Sequence, residues 1–320
     1  MNAFLTGATG FVGGYLAQVL AARGYGLRLL VRQPTRVWEN LKPTYIVGDL
    51  SDTGLLREAI QGCDVVVHAA AKVSFWKKDQ EALYQTNVVG TANLVNMALD
   101  AGVSRLLYVS SIAAIGRPST AEQPLDETAQ WSDEDAPHAY AQTKHEGERE
   151  VWRGMAEGLD ALIVNPSLVL GVGDWKRSSL QVLDYIARKN QFHPTGTVNY
   201  VDVRDVAQMS IDLLEGGHTG RYIQSAGAMP YGEFFAAFAQ RVQQVRQSQP
   251  LPPWMGELAW RWEALRSLLT QKPPQVTPQA LRSARGHQVY DSQKIQKTLG
   301  RNFRSLEQTL DWIADHYPRQ

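Results

Sequence analysis

Short, continuous apolar runs alternate with longer amphipathic segments over the first 165 residues of the chain. The runs are AFLT at 3–6, LRLLV at 27–31, YIVG at 45–48, DVVVHAA at 64–70, RLLYVSS at 105–111 and ALIVN at 161–165. Most of them lack the period-two alternation of a strand with one exposed face. Unbroken Val, Leu and Ile are typical of strands buried on both faces of a parallel sheet, so the pattern predicts such a sheet.

The segments between these runs have the spacing of amphipathic helices. Within 11–23, the apolar positions i, i+4, i+7 and i+8 are Val12, Leu16, Val19 and Leu20. A longer helix is predicted over 80–101, ending at Gly102. Regular repetition of strand and helix predicts an α/β fold with a doubly wound parallel sheet of the Rossmann type.

The pattern loosens after residue 170, where Pro- and Gln-rich connectors flank an aromatic helical stretch at 254–269. Two further strands are expected in TVNYVDV and GRYIQSA, around a helix at 203–215. We therefore predict a dinucleotide-binding domain over 1–170, to which 198–226 returns. The remaining segments, 171–197 and 227–320, are predicted to form a smaller, mostly helical substrate-binding region.

Composition narrows the classes of function. Lys plus Arg and Asp plus Glu number 32 each, so no overall field attracts nucleic acid or an anionic membrane. The single cysteine, Cys63, excludes an intrachain disulfide and a cysteine-based metal site, and we predict no metal. No window approaches the roughly 18 apolar residues of a membrane span, and the N-terminal residues lack a leader pattern. A cytoplasmic enzyme with a small-molecule substrate is expected.

The motif TGATGFVGG joins the first predicted strand to the first helix. Its glycines, Gly7, Gly10 and Gly13, allow a positive φ and let a phosphate approach the backbone without a Cβ atom in the way. The helix then offers its unpaired N-terminal N–H groups to a pyrophosphate. The spacing GxxGxxG is one residue wider than the GxGxxG fingerprint, and the alternative is a glycine-rich turn that binds nothing.

The end of the second strand bears on the choice of cofactor. Sites that select NAD usually place Asp or Glu there, but this chain has Arg32, with Arg36 close behind and no carboxylate before Glu39. A guanidinium can pair bidentately with a 2′-phosphate, which favours NADP(H) over NAD. The alternative is a solvated arginine. After the third strand, Asp49 in GDLSD is placed to reach the adenine.

Tyr140 and Lys144 lie four residues apart in HAYAQTKHEGERE, so on a helix they share one face. A phenol with a pKa of about 10 is a poor acid–base catalyst at neutral pH, and an adjacent ammonium favours the phenolate and lowers that pKa. Ser110 and Ser111 end the fifth strand, where ligands bind in such sheets. A serine hydroxyl there could hold a substrate oxygen, and the set predicts a proton-transfer site.

These motifs, together with VVVHAAA, TNVVGTANLVNMALDAGV, NPSLVLGVGD, YVDVRDVA and DSQKIQKTLG, resemble the extended short-chain dehydrogenases/reductases. The resemblance covers nearly the whole chain and is strongest to the dihydroflavonol-reductase-like branch. It implies Ser111, Tyr140 and Lys144 as the catalytic triad, with Lys144 also binding the nicotinamide ribose. A homodimer through helices 80–101 and 138–157 is an expectation of the same kind.

The resemblance also implies a set of cofactor contacts along the carboxyl edge of the sheet. They are the glycine-turn residues Gly7, Gly10, Phe11, Val12 and Gly13, then Asp49, Leu50, Ala69, Ala70, Ala71, Asn87, Pro166 and Leu168.

Two positions depart from the patterns of relatives. Plant dihydroflavonol reductases carry an asparagine five residues after the catalytic serine, where this chain has Gly116. We therefore do not predict a flavonoid substrate. Asn165 stands where sugar-modifying relatives usually have arginine before the proline, which counts against a nucleotide-sugar substrate.

Three functions are compatible with these residues. The first is an NADP(H)-dependent reductase or dehydrogenase that interconverts a carbonyl and an alcohol, with Tyr140 as acid and base. The second is a nucleotide-sugar epimerase or dehydratase that retains NAD(P) and needs cations for the pyrophosphate of its substrate. Its candidates are Lys176, Arg177, Arg188 and Lys189. The third is a non-catalytic dinucleotide sensor or scaffold, which has no need of all three catalytic side chains.

Other side chains are less specific. Trp254, Trp260 and Trp262 suit a substrate pocket, the core, or an oligomer or membrane contact, and we favour the core or a pocket. We expect His68 to be a packed, hydrogen-bonded histidine and His138 to cap a helix or lie at the surface.

Overall fold

The central sheet has seven strands in the part of the chain that the computed structural model describes, residues 1–116, 123–131, 138–177, 179–274 and 276–318. The strands are β1 (Asn2–Thr6), β2 (Gly26–Val31), β3 (Thr44–Val47), β4 (Val65–His68), β5 (Arg105–Val109), β6 (Ala161–Pro166) and β10 (Gly220–Gln224). Their order is β10-β6-β5-β4-β1-β2-β3, and all neighbours run parallel. The predicted doubly wound α/β fold is confirmed.

Burial along the strands explains why the sequence lacks alternation. Every residue of β4 and β6 is buried, whereas the edge strand β3 exposes Thr44 and Val47. Because helices cover both faces, the central strands need apolar residues at successive positions. The predicted runs 45–48, 64–70 and 105–111 continue one or more residues beyond their strands, and those extra residues open the loops at the carboxyl edge.

Helices pack on both faces of this sheet. One face carries α1 (Phe11–Ala22), α7 (Val203–Glu215) and α11 (Gln293–Leu299), and the other carries α2 (Thr53–Ile60), α4 (Gly90–Asp100) and α5 (Ala139–Ala156). Leu16, Met209 and Ile295 belong to the first hydrophobic cluster. Leu56, Leu94 and Val151 belong to the second. The two helical layers hold the strands in place, and the candidate site lies at the carboxyl edge of the sheet between them.

The helix predicted over 80–101 is present, with a local change of geometry. It consists of α3 (Gln80–Tyr84), a π-helical turn (Gln85–Val89) and α4, and it ends before Gly102, which has φ +62°. Single π turns inside helices often occur at functional sites. This one contains Asn87, which is buried and was predicted as a cofactor contact.

A smaller region packs around a third hydrophobic cluster that includes Leu183, Phe234, Phe238 and Leu310. Its strands are β7 (Leu168–Leu170), β8 (Phe192–His193), β9 (Thr197–Asp202), β11 (Gly227–Pro230) and β12 (Gln249–Pro250). Its helices are α6 (Leu180–Arg188), α8 (Tyr231–Arg241), α9 (Pro253–Thr270), α10 (Pro278–Ser283) and α12 (Leu306–His316). Within 198–226, α7 and β10 pack with the main sheet, but β9 lies in a three-stranded sheet with β7 and β11. The domain boundaries stay a prediction.

Candidate active site

The carboxyl edge of the sheet gathers the loops in which the sequence places chemistry. Along this edge Asp49 and Leu50 follow β3, Arg32 follows β2, the glycine turn follows β1, Ala69 to Ala71 follow β4, Ser111 follows Ser110 after β5, and Pro166 ends β6. The order of strands reverses at β1, which lies between β2 and β4. Ligands of open α/β sheets bind in the crevice at such a reversal, so the predicted cofactor residues border one crevice.

The turn between β1 and α1 has no room for side chains at two of its glycines. Gly7 has φ +78°, and a Cβ atom there would lie 2.5 Å from the Ala70 backbone nitrogen. A Cβ atom on Gly13 would lie 2.1 Å from the Gly7 carbonyl oxygen. The first turn of α1 has no side-chain cap and no acidic residue, so its N–H groups suit an anion. This cradle fits the pyrophosphate of a dinucleotide.

Replacing Gly13 with alanine should lower the free energy of unfolding by about 1–3 kcal/mol, because the added methyl group meets backbone atoms that cannot rotate away. Gly54→Ala in α2 is the matched control, since the nearest atom to its added methyl group is 3.5 Å away. We expect that control to be neutral or stabilising by up to about 1 kcal/mol. Urea unfolding compares the two, and equal midpoints would contradict the steric account.

The start of α5 places Tyr140 at the crevice. His138 is the N-cap residue, and its Nδ1 atom accepts a hydrogen bond of 3.0 Å from the Ala141 backbone N–H. Tyr140 and Lys144 lie one turn apart on the same helical face. The Ser111 side chain acts on the pKa of the Tyr140 phenol as a hydrogen-bond partner, which places the two side chains near each other. The three predicted catalytic side chains therefore lie at the junction of α5 with the end of β5.

Lys144 is buried, with only 1% of its surface exposed. Its Nζ atom donates hydrogen bonds to the Tyr108 hydroxyl at 3.0 Å and to the Val109 carbonyl oxygen at 2.8 Å. Burial lowers the pKa of Lys144 from 10.5 to about 7, and the Glu148 carboxylate opposes this shift. The ammonium can therefore lose its charge within the neutral pH range.

The pKa of Tyr140 differs from the expectation drawn from its spacing to Lys144. Desolvation raises the pKa of the phenol above its ordinary value, and the hydrogen bond with Ser111 acts in the opposite direction. The shift is upward because desolvation is the larger effect and because the Lys144 ammonium bonds Tyr108 and Val109. A phenol that stays protonated at neutral pH is suited to donating a proton.

We expect kcat/KM for the cofactor to fall as the pH rises through about 7, because Lys144 then loses the charge that stabilises a phenolate and a bound ribose hydroxyl. Above that pKa the charged fraction falls about tenfold for each pH unit. A pH–rate profile measures this fall of kcat/KM above pH 7. Lys144→Arg should lack it, since guanidinium stays charged. A wild-type profile that is flat through pH 7 would contradict the role given to this charge.

A buried polar network supports Ser111 from behind. Asn165 donates from Nδ2 to the Ser111 carbonyl oxygen at 2.8 Å and to one oxygen of Glu148 at 2.5 Å. The Arg221 guanidinium donates to the other carboxylate oxygen of Glu148, which is fully buried. Asn165, the residue that departs from the sugar-modifying relatives, thus links a buried ion pair to the backbone of the candidate catalytic serine. Such a network holds that backbone only while its members are paired.

Asn87 fastens the loop after β4 to α5. Its side chain accepts a hydrogen bond of 2.8 Å from the Lys72 backbone N–H and donates one of 3.0 Å to the Lys72 carbonyl oxygen. It also donates to the Thr143 hydroxyl, which in turn donates to the Tyr140 carbonyl oxygen at 3.1 Å. The π-helical turn thus places Asn87 where it positions both the candidate cofactor loop and the catalytic helix.

A cavity of about 820 Å³ opens beside the start of α5. It is lined by the loop 74–78, by His138 and Ala139, and by α9 and the segment leading into α10. Apolar side chains dominate its wall, namely Phe75, Trp76, Trp260, Ala264, Leu268, Pro274, Val276 and Pro278. Phe75 packs edge-on against both His138 and Tyr140, at ring centroid distances of 4.9 and 6.4 Å. The cavity therefore lies beside the residues that precede Tyr140 and against Phe75, which contacts the Tyr140 ring.

Several predicted residues lie at the outer end of the crevice. Arg32 and Arg36 are exposed, and neither guanidinium has an ion pair or hydrogen bond within the part of the chain that the structure describes. Asp49 is exposed and accepts from the Ser51 N–H at 2.9 Å. Trp38, which the sequence analysis passed over, donates from its indole N–H to the Ala8 carbonyl oxygen at 2.8 Å and covers the glycine turn.

The structure explains two residues that the sequence analysis singled out, Gly116 and His68. A Cβ atom on Gly116 would lie 1.8 Å from the Gln130 carbonyl oxygen, so this packing cannot accept an asparagine there. His68 is buried between the hydroxyl groups of Thr6 and Thr91, at 2.7 and 3.1 Å, and burial lowers its pKa to about 3. His68 is thus the packed, hydrogen-bonded histidine that was expected.

Sequence reasoning missed three contributors to the site. Tyr108 looks like a core strand residue, although it stands three positions before Ser111. Glu148 follows Lys144 by four residues, and this spacing could have placed it on the same helical face. Arg221 carries no local signal, because its partner Glu148 lies 73 residues away in the chain.

Comparison with known proteins shows the family of the chain. The family model of the NAD dependent epimerase/dehydratase family matches residues 3–223. A putative dihydroflavonol 4-reductase of Synechocystis is 33% identical over 98% of this chain and 94% of its own length. Cinnamoyl-CoA reductase 1 of Petunia hybrida is 34% identical over 72% of this chain and 74% of its own length. The crystal structure of gox2253 superposes with a TM-score of 0.83 at 33% identity, covering 98% and 97% of the two chains.

The chain therefore belongs to the NAD-dependent epimerase/dehydratase family. Its relatives named as reductases place it in the dihydroflavonol-reductase-like branch of the extended short-chain dehydrogenases/reductases. It is an NAD(P)-dependent oxidoreductase of that type, and the family predicted from its motifs is confirmed.

Proposed function

We propose that this protein is an NADP(H)-dependent reductase that interconverts a carbonyl group and an alcohol on a medium-sized substrate. The observation that carries the proposal is the meeting of Ser111, Tyr140 and Lys144 at the end of β5. The set lies at the same sheet edge as the glycine turn. The apolar cavity is lined by His138 and Ala139, which directly precede Tyr140, and by Phe75, which contacts the Tyr140 ring. Cofactor and substrate would therefore approach the same phenol from two sides.

Tyr140 is the proposed proton donor in the reducing direction. Its raised pKa keeps the phenol protonated at neutral pH, and the Ser111 hydroxyl orients the carbonyl oxygen beside it. When charged, Lys144 stabilises the phenolate that remains after proton transfer. The bound nicotinamide supplies the hydride that forms the new C–H bond of the alcohol. In the oxidising direction the Tyr140 phenolate takes the proton back.

The proposed cofactor contacts follow the carboxyl edge of the sheet. The glycine turn and the first N–H groups of α1 would hold the pyrophosphate, and Asp49 would reach the adenine. Lys144 uses two of its three N–H donors on Tyr108 and Val109, so the third is available to a ribose hydroxyl. The remaining predicted contacts are Leu50, Ala69, Ala70, Ala71, Asn87, Pro166 and Leu168.

Arg32→Gln should weaken NADPH binding by about 10- to 100-fold and leave NADH binding unchanged, because charge-assisted hydrogen bonds to a 2′-phosphate contribute about 1.5–3 kcal/mol. Fluorescence titration of the bound nicotinamide measures both dissociation constants. Arg177→Gln is the matched control, since Arg177 is exposed and pairs with Asp174 at 3.2 Å. If Arg32→Gln weakened the binding of NADPH and NADH equally, Arg32 would not be the residue that binds the 2′-phosphate.

The cavity wall supports an apolar or aromatic substrate body. Its side chains are mostly aromatic, aliphatic or proline, with the cations Lys77 and Lys78 at one part of the lining. The relatives are named for dihydroflavonol and cinnamoyl-CoA, which both carry an aryl group near the reacting carbon. We therefore propose an aryl or extended alkyl carbonyl compound as substrate. The packing around Gly116 leaves no room for the asparagine that contacts the flavonoid in plant dihydroflavonol reductases, so the proposal does not extend to flavonoids.

The cations considered for a nucleotide-sugar pyrophosphate give the epimerase alternative little support. Arg177 pairs with Asp174 and Arg188 pairs with Asp184, and both arginines are exposed. None of Lys176, Arg177, Arg188 and Lys189 is among the described residues that line the cavity. A panel of aldehydes and ketones tests the proposal, with one alcohol expected per NADPH consumed. Conversion of a UDP- or GDP-sugar without net NADPH consumption would favour the epimerase.

A further inference from the structure

Helix α9 carries a row of large apolar residues on its exposed face. Trp254, Leu258, Trp262, Leu265 and Leu269 are all exposed and follow one face at positions i, i+4, i+8, i+11 and i+15. We call these five residues the α9 stripe. The buried positions of the same helix are the small residues Gly256 and Ser267. This distribution is the reverse of a helix that packs its large apolar face into a core, and the described residues leave the stripe uncovered.

The size of the stripe limits what can cover it. Its members span about 22 Å along the helix. With tryptophan side chains of about 150–250 Å² each, it offers on the order of 600 Å² of apolar surface. That is at the upper end of the largest patch on a typical monomer, about 300–600 Å². A stable pair of protein subunits usually buries about 800 Å² on each partner, so a single convex helix is small for a subunit interface.

Cations cluster at the carboxyl end of the stripe. Lys78 donates from Nζ to the Gln271 side chain at 2.8 Å, which places the exposed Lys77 and Lys78 beside the end of α9 and next to Lys272. None of the three lysines forms an ion pair with an acidic group within the ranges the structure describes. The charges within α9 pair with each other, as in Glu257 with Arg261 and Glu263 with Arg266. The end of the stripe therefore presents uncompensated positive charge.

We propose that the α9 stripe docks this enzyme on the surface of an anionic lipid membrane. Tryptophan and leucine on one exposed helical face and cations beside that face are two features of helices that lie in the plane of a membrane interface. The three lysines complement anionic head groups. Described residues include no helix with the length and apolar character to cross a membrane. The stripe contacts the lipid, and this contact does not depend on which carbonyl the enzyme reduces.

Docking in this orientation has a consequence for the cavity. The inward side of α9 supplies Trp260, Ala264 and Ser267 to the cavity wall, and the exposed Leu268 belongs to the wall as well. One helix therefore contacts the lipid with its outer face and the cavity with its inner face. An apolar substrate dissolved in the membrane would enter the cavity next to Leu268.

Vesicle flotation of the full chain tests the proposal. We expect the wild type to float with vesicles containing phosphatidylglycerol, and less with phosphatidylcholine alone. Trp254→Gln/Leu258→Gln/Trp262→Gln should reduce the bound fraction by about tenfold or more. Val245→Gln is the matched control, since Val245 is 94% exposed and lies outside the stripe. Lys77→Gln/Lys78→Gln/Lys272→Gln should remove the preference for anionic vesicles. We expect the affinity for those vesicles to fall by about fivefold for each lysine replaced.

Two results would overturn the proposal. The first is a wild-type protein that floats with neither kind of vesicle. The second is a triple stripe variant that binds vesicles like the wild type. If that variant also changed its molar mass in light scattering, the stripe would be assigned to contact between copies of the chain. Unchanged thermal unfolding of the variants confirms that loss of binding is not loss of fold, because the replaced side chains are exposed.

Discussion

Tyr140→Phe should lower kcat for carbonyl reduction by about 10²- to 10⁴-fold, because it removes the one hydroxyl group proposed to donate the proton. The ring, its contact with Phe75 and the apolar character of the site all remain. KM for the carbonyl substrate should change much less than kcat, since the cavity wall is untouched. Steady-state kinetics with NADPH and a reducible carbonyl measures both constants.

The control for this variant is Tyr84→Phe, which also deletes a phenol hydroxyl but on an exposed residue of α3. We expect it to keep the activity of the wild type. Thermal unfolding of both variants separates chemistry from folding. Near-normal turnover of Tyr140→Phe would contradict the proposed mechanism, whatever the substrate.

Arg221→Met should cost about 3–5 kcal/mol of the free energy of unfolding, the largest stability effect we expect for a single substitution in this chain. Among the residues the structure describes, it leaves the fully buried Glu148 carboxylate with the Asn165 amide as its one remaining hydrogen-bond partner. Because Asn165 also holds the Ser111 carbonyl oxygen, kcat should fall together with stability. Chemical denaturation measures the first effect, and turnover well below the unfolding temperature measures the second.

A double variant separates the unpaired charge from lost packing. In Glu148→Gln/Arg221→Met the buried carboxylate is absent, and the glutamine side-chain oxygen can still accept from Asn165. We expect the double variant to recover at least about half of the lost stability. A double variant that is less stable than Arg221→Met would show that the guanidinium acts through packing, for instance against Trp152, whose ring centroid lies 5.8 Å away.

The fold could be predicted because its central elements have strong local patterns. Continuous apolar runs marked the first six strands, and the i, i+4 spacing marked α1. The glycine turn was predictable because Gly7 and Gly13 each lie against backbone atoms that exclude a side chain. The position of β9 was not predictable, since a short apolar strand carries no information about which sheet it joins.

The candidate site was predictable only in part. Tyr140 and Lys144 follow from helical spacing, and Ser111 follows from the strand end. The direction of the Tyr140 pKa was missed because sequence gives no measure of burial and does not show that Tyr108 and Val109 take the Lys144 ammonium. Arg221 was missed because only the pairing of β10 with β6 brings it to Glu148.

The tryptophans of α9 show that the sequence did not give the burial of individual helical residues either. The sequence favoured the core or a pocket for Trp254, Trp260 and Trp262, and only Trp260 lines the cavity. Trp254 and Trp262 lie on the exposed face, because the helical period of 3.6 residues separates them from the inward positions.

The most direct test of the central claim is transfer of deuterium from NADPH that carries deuterium at both hydrogen positions of the nicotinamide C4 atom. A panel of aryl and alkyl carbonyl compounds would be incubated with the wild-type enzyme, and the alcohols analysed by mass spectrometry. We predict one deuterium on the carbinol carbon for each labelled NADPH oxidised. The account would be contradicted if no carbonyl compound gained deuterium while a nucleotide sugar was converted with the label retained on the cofactor.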